Sequence, residues 1–177
     1  MTRHSFLAAL GVCLLLLGGC KSRQRRVAVQ QTDEESGALS SVLYMADPKA
    51  APQLLKGFHS VEGNAWRWTT GSFAVALKPP RNAAVRGATL RLKFAVPDAV
   101  ISTTKKLTLS CSVNGTALQP ETYTQAGDYE YTRDVDAKLL AADAVNVEFA
   151  LDKFIPAGTL ESRELGVIAS SVGFEAK

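Results

Sequence analysis

Leu107-Thr108-Leu109-Ser110-Cys111-Ser112-Val113-Asn114-Gly115-Thr116 alternates apolar and polar residues and then breaks at Asn-Gly. Period-two alternation puts Leu107, Leu109, Cys111 and Val113 on one face of a strand. Asn-Gly supplies the two positive φ values that a type I′ turn needs, so the stretch predicts a hairpin from Leu107 to Val113 returning along Thr116 to Tyr123. Asn114-Gly115-Thr116 also spells a glycosylation sequon, but turn chemistry accounts for these residues without it. Outward from the hairpin the same theme recurs. Phe73, Val75 and Leu77 share a face, as do Leu90, Leu92, Phe94 and Val96 with Arg91 and Lys93 opposite, and Val145, Val147, Phe149 and Leu151 with Asn146 and Glu148 opposite. Between these runs stand Lys78-Pro79-Pro80, Val96-Pro97-Asp98, Gln119-Pro120, Ala126-Gly127-Asp128 and Ile155-Pro156-Ala157-Gly158, each a recognised turn or break.

Only Asp136-Ala137-Lys138-Leu139-Leu140-Ala141-Ala142 has a helical pattern. With no long helix recurring between strands, parallel βαβ units are excluded. The expectation is an all-β, antiparallel two-sheet β-sandwich of jelly-roll, galactose-binding-like type, with about eight or nine strands and at most one short helix near 136–142. At 177 residues, 46% hydrophobic and 21% charged, the chain is long enough for one such domain with its own core.

The N-terminal segment reads differently. Arg3 and His4 precede an apolar run from Phe6 to Leu17, which is too short to span a bilayer and has the form of a secretory signal. It ends in Leu17-Gly18-Gly19-Cys20, which resembles the lipobox of bacterial lipoproteins. That resemblance implies cleavage after residue 19 and lipidation of Cys20, with an anchor of more than the two acyl chains that stable attachment requires. Residues 1–19 are then a signal peptide, residues 20–38 a lipidated N-terminus and flexible linker, and residues 39–177 the β-sandwich. Lys21, Arg23, Arg25 and Arg26 either rest on anionic headgroups or form part of a solvated tether. The linker stretch Gln30-Gln31-Thr32-Asp33-Glu34-Glu35-Ser36-Gly37 has little to bury. Structure is expected to begin near Leu39, with Ser41-Val42-Leu43-Tyr44-Met45 as the first strand and Asp47-Pro48 as a break. Lysine rather than aspartate after Cys20 favours the outer membrane, at its periplasmic face, if the cell is Gram-negative.

The formal charge of +3 falls to +2 once Arg3 is removed with the leader, far from the footprint of a nucleic-acid binder. With Cys13 in the leader and Cys20 the acyl acceptor, only Cys111 remains in the body, so no internal disulfide forms there. Its position on the apolar face makes it a buried, inert thiol.

The body also resembles a family through Gly57-Phe58, Glu62, Arg67-Trp68-Thr69, Val113-Asn114-Gly115, the Gly-Asp-Tyr-Glu-Tyr segment from Gly127 to Tyr131, and Arg163-Glu164-Leu165-Gly166. Over roughly residues 55 to 175 these look like the small jelly-roll, carbohydrate-binding-module-like domains attached to bacterial glycosyltransferases and found alone in some lipoproteins. The resemblance implies a non-catalytic module serving cell-envelope polysaccharide, with no agreed ligand. No transferase is attached here, so an enzyme partner would act in trans.

Candidate site residues concentrate in Gly57 to Thr69, which holds both tryptophans and the one histidine outside the leader. In a strand, Trp66 and Trp68 project to one face and Arg67 to the other. Exposed indoles can stack on sugar rings, with Arg67, Glu62 or Asn64 bonding hydroxyls; buried ones anchor the core. Arg67 can equally pair with Glu62 or Glu164 and tie the loop to the last strand. Tyr129 and Tyr131 form a second same-face pair, either a sugar platform or cross-strand packing. A hydrolase would need His59 or carboxylates such as Glu62, Asp128, Glu130 and Glu164, but no GxSxG, HExxH or phosphate loop accompanies them, and no enzyme, metal or cofactor is expected. The partners expected are the membrane and either an envelope polysaccharide or, for a structural or assembly lipoprotein, another envelope protein.

Overall fold

The computed structural model describes residues 38–177. The leader, Cys20 and the linker expected over residues 20–38 lie outside the described residues, apart from residue 38 itself. Nine strands are present among the described residues: β1 (Val42–Tyr44), β2 (Leu54–Glu62), β3 (Trp66–Leu77), β4 (Ala88–Val96), β5 (Leu107–Val113), β6 (Thr116–Tyr123), β7 (Gly127–Val135), β8 (Val145–Leu151) and β9 (Ile168–Ala176). All pairings are antiparallel. The ladder runs β6-β5-β8-β3-β9-β4-β7, with β1 added to β9 and β2 to β3.

The 12-residue strand β3 joins the two layers. Its residues 72–77 pair with β8, whereas Arg67 and Trp68 pair with β9. The layers therefore fold over one another, and rings from opposite halves meet inside. Phe94 of β4 stands edge-on to Tyr123 of β6 at 5.2 Å, and Tyr131 of β7 to Phe149 of β8 at 6.4 Å. This is the expected all-β sandwich. Burial follows the sequence alternation: Leu90, Leu92, Phe94 and Val96 of β4 face inward, as do Leu107, Leu109, Cys111 and Val113 of β5, and Val145, Val147, Phe149 and Leu151 of β8.

The β5–β6 turn has Asn114 at φ 47° and Gly115 at φ 79°, as a type I′ turn requires. Asn114 is held at both ends of its amide, its Nδ2 donating to the Leu139 carbonyl and its Oδ1 accepting from the Asn146 amide. The irregular pairing of β2 with β3 depends on Gly57. It lies at a register shift with φ +76°, and a Cβ there would come within 2.1 Å of the Ser72 carbonyl oxygen.

The helical expectation is corrected. Residues 136–142 contain a single 3-10 turn, Ala137–Leu139. Leu140, just beyond it, is buried in the core, so tertiary anchoring rather than local propensity sets this segment. Elsewhere among the described residues two short helices form, α1 (Ala83–Arg86) and α2 (Asp98–Thr104), together with a 3-10 segment at Pro48–Gln53. In α2, Pro97 supplies a preset φ of −69° at the cap, Asp98 occupies the first turn, and Val100 and Thr104, four apart, are the buried pair. Among the described residues, no helix is long and apolar enough to cross a membrane.

Candidate functional site

The turn from β2 to β3 is tight because Gly63 and Asn64 both adopt positive φ, 57° and 52°. The Ala65 amide closes it on the Glu62 carbonyl. The chain then enters β3 with Trp66 half-buried and its indole nitrogen directly over Gly63. Trp68 lies on the same face, pairs in register with Ile168 of β9, and packs against the core.

Trp66 forms one wall of a groove of about 650 Å³ on the outer face of the β9-β4-β7 layer. Lys93 and Ala95 of β4, Asp128 and Glu130 of β7, and Ile168 and Ser170 of β9 contribute to it. Cross-strand register builds this surface, with Lys93 opposite Glu130 and Ala95 opposite both Asp128 and Ile168. Phe94 and Tyr129 border the groove from the strand positions between, while their rings turn inward against Tyr123. The result joins an indole and small apolar side chains with an ammonium, two carboxylates and a hydroxyl.

The electrostatics of this face centre on Arg91. It bonds Glu130 and, at 2.7 Å, Glu175, while Lys93 stands 3.8 Å from the other Glu130 oxygen. The Arg91 hydrogen bond holds the Glu130 carboxyl below its ordinary range, and Glu130 followed by Glu175 raises the guanidinium. Glu130 is therefore an anion and a hydrogen-bond acceptor at neutral pH.

Other candidates are placed differently. Arg67 does not pair with Glu62 or Glu164. Its Nε donates to the Met45 carbonyl and its Nη1 to the His59 carbonyl, so the guanidinium fastens β1 and β2 to β3. The expected ion pair belongs to Arg163, which bonds Glu62 at 2.5 Å and Glu161 at 2.5 Å. Glu62, opposite Trp66 in the β2–β3 register, thus ties the turn to the segment before β9 and is not among the residues lining the Trp66 groove. Glu164 accepts from the Gly71 amide at 2.6 Å, and His59 Nε2 donates to the Glu164 carbonyl at 2.7 Å. Of the residues that hydrolysis would recruit, His59 and Glu164 thus bond backbone groups, Glu62 and Glu130 pair with arginines, and Asp128 lines the groove. Among the described residues, no group of three or more His, Cys, Asp and Glu side chains is arranged to hold a metal.

The tyrosine pair also separates. Tyr131 is fully buried, its ring against Phe149 and its hydroxyl donating to the Gln119 carbonyl at 2.8 Å. Burial pushes its phenol up to about 12. A ring with no exposed surface cannot stack on a ligand, so Tyr131 is a core residue. Tyr129 borders the groove but packs against Tyr123 and Phe94, with its hydroxyl on the Gln125 carbonyl.

Lys93, Ile168 and Ser170 carried no signal as site residues. Lys93 reads in sequence as the solvent side of an alternating strand, and only the pairing of β4 with β9 and β7 places it beside Trp66.

No protein-family model and no curated protein matches the chain. Among solved structures it is similar in fold to an exo-beta-1,3-galactanase from Phanerochaete chrysosporium crystallised with beta-1,3-galactotriose, at TM-score 0.40 and 11% identity, covering 78% of this chain and 29% of that one. It is likewise similar to CBM51-2 with INT domains from Clostridium perfringens ZmpB, in complex with GlcNAc, at TM-score 0.37 and 10% identity, covering 77% and 28%. A family 35 carbohydrate binding module from an environmental isolate matches at TM-score 0.35 and 13% identity, over 79% of this chain and 88% of that one. The chain thus spans under a third of the length of the first two.

Proposed function

We propose that the protein is a membrane-anchored, non-catalytic envelope lipoprotein whose β-sandwich binds cell-envelope polysaccharide in the groove beside Trp66. The observation that carries this reading is the half-buried Trp66 indole standing next to Lys93, Asp128, Glu130 and Ser170 in one open groove. Sugar rings present apolar faces edged by hydroxyls. An aromatic wall beside donors and acceptors meets both needs. The leader and its Leu17-Gly18-Gly19-Cys20 ending support attachment through Cys20, and Lys21 in place of an aspartate supports an outer rather than an inner membrane in a Gram-negative cell.

Binding is tested by titrating the Cys20→Ser protein with envelope polysaccharides in a calorimeter. Trp66→Ala is expected to weaken binding about tenfold, corresponding to roughly 1.4 kcal/mol. Absence of binding by the parent, or equal binding by Trp66→Ala, overturns the reading. A second reading, docking to another envelope protein, is supported by the edge strand β2, which among the described residues pairs with β3 alone and exposes Leu55 at 51%. Reproducible crosslinking from β2 to one partner, lost with Leu55→Lys, is its expected outcome.

A further inference from the structure

Tyr44 is the most exposed aromatic residue among the large apolar side chains on the surface, at 63%, although its strand neighbours Leu43 and Met45 are buried. Strand β1 runs along the same edge of β9 as the start of β3. Tyr44 lies opposite Ser171 and Arg67 opposite Ala169, two residues apart along β9 or about 7 Å at the usual strand rise. Alternation sends Tyr44 outward, as it does Trp66. Tyr44 borders a second, smaller depression of about 120 Å³, and Lys93 lies in the lining of both. The Trp66 groove and the Tyr44 depression therefore meet at Lys93 and form one extended face.

We propose that this face binds an extended, uncharged glycan chain, with Trp66 and Tyr44 as two successive stacking platforms on either side of Lys93, an inference that rests on reading the Trp66 groove as a glycan site. Two rings set along a strand edge suit a linear chain better than a single sugar. The charge on the face selects against a polyanion. Arg91 and Lys93 stand against Asp128, Glu130 and Glu175, two cations to three carboxylates, and Arg91 is already committed to two of those carboxylates. Hydroxyls can donate to carboxylates and accept from Lys93, whereas an added anion would meet a net negative surface.

The test uses the Cys20→Ser protein with neutral glucan, galactan and mannan oligosaccharides from monosaccharide to hexasaccharide, and alginate oligomers as the polyanion. Affinity is expected to rise with chain length for a neutral ligand and to change little between roughly 0.05 and 0.5 M salt. Tyr44→Ala is expected to weaken the longer ligands about three- to tenfold and leave the shortest unchanged, with Tyr44→Phe binding like the parent. Tyr44 is exposed, so its replacement does not threaten the core, and unchanged thermal unfolding checks this. If Trp66→Ala weakens binding but Tyr44→Ala does not, or if alginate binds more tightly in a salt-sensitive way, the extended neutral site is overturned while the groove stands. If no ligand binds, or if Trp66→Ala changes nothing, the reading beneath it falls as well.

Discussion

Cys111 shows how much a single position in an alternating run determines. Its place among Leu107, Leu109 and Val113 turns it inward, and burial pushes its thiol up to about 12. The sign for stability follows from that shift. Because the folded value is raised, the thiol's contribution is complete below the unfolded value of about 8.5 and declines as pH rises above it. At pH 8 the native Cys20→Ser protein without its leader is expected to resist iodoacetamide, and the same protein in urea to label fully within minutes, as read by mass spectrometry. Labelling of the folded protein at the unfolded rate would contradict the burial. Tyr131 was equally readable as facing the same way as Tyr129, but alternation does not say which face is covered. That depended on β8 bringing Phe149 over Tyr131 from the opposing layer.

The β5–β6 hairpin was legible in detail because its turn is encoded locally. Asn114 contributes more than a positive φ, since its amide also bonds Leu139 and Asn146. Asn114→Ala is expected to cost about 1–3 kcal/mol, combining a lost turn residue with two lost hydrogen bonds. Gly115→Ala, with open space around its Cβ position but φ at 79°, should cost about 1 kcal/mol. Urea midpoints at constant m-value check the order, and a larger loss from Gly115→Ala than from Asn114→Ala would show that the side-chain bonds carry little. Strand β3 was less legible. Its apolar end read clearly through Phe73, Val75 and Leu77, but nothing local announces that Arg67 and Trp68 pair with a strand 100 residues later. For the same reason the ion pair expected of Arg67 went to Arg163. Nothing local in the sequence brings Arg163 to Glu62; only the arrangement of the β2–β3 turn and the segment before β9 does so.

For the molecule as a whole, the proposed acyl acceptor Cys20 precedes the described sandwich in sequence, and replacing it tests whether the proposed anchoring and folding are separable. Cys20→Ser is expected to abolish acyl labelling and move the protein from the membrane to the soluble fraction. The thermal unfolding of the sandwich is expected to be unchanged, because residue 20 lies well before the first described core residue, Leu43. Retention of acyl label would refute the reading of the leader. Loss of the folded sandwich would show that the tether takes part in the fold.

Period-two patterning and turn chemistry by themselves determined the strand class, the inward faces of β4, β5 and β8, and the hairpin, because these depend on residues a few positions apart. The order of strands, the passage of β3 between layers and the groove beside Trp66 depend on pairs about 30 to 130 residues apart, and their register is set by how two sheets close over one core. Hence Trp66 was recognisable as a residue worth explaining, whereas Lys93 and Tyr44 became its neighbours only through the pairing of β1, β3 and β4 with β9.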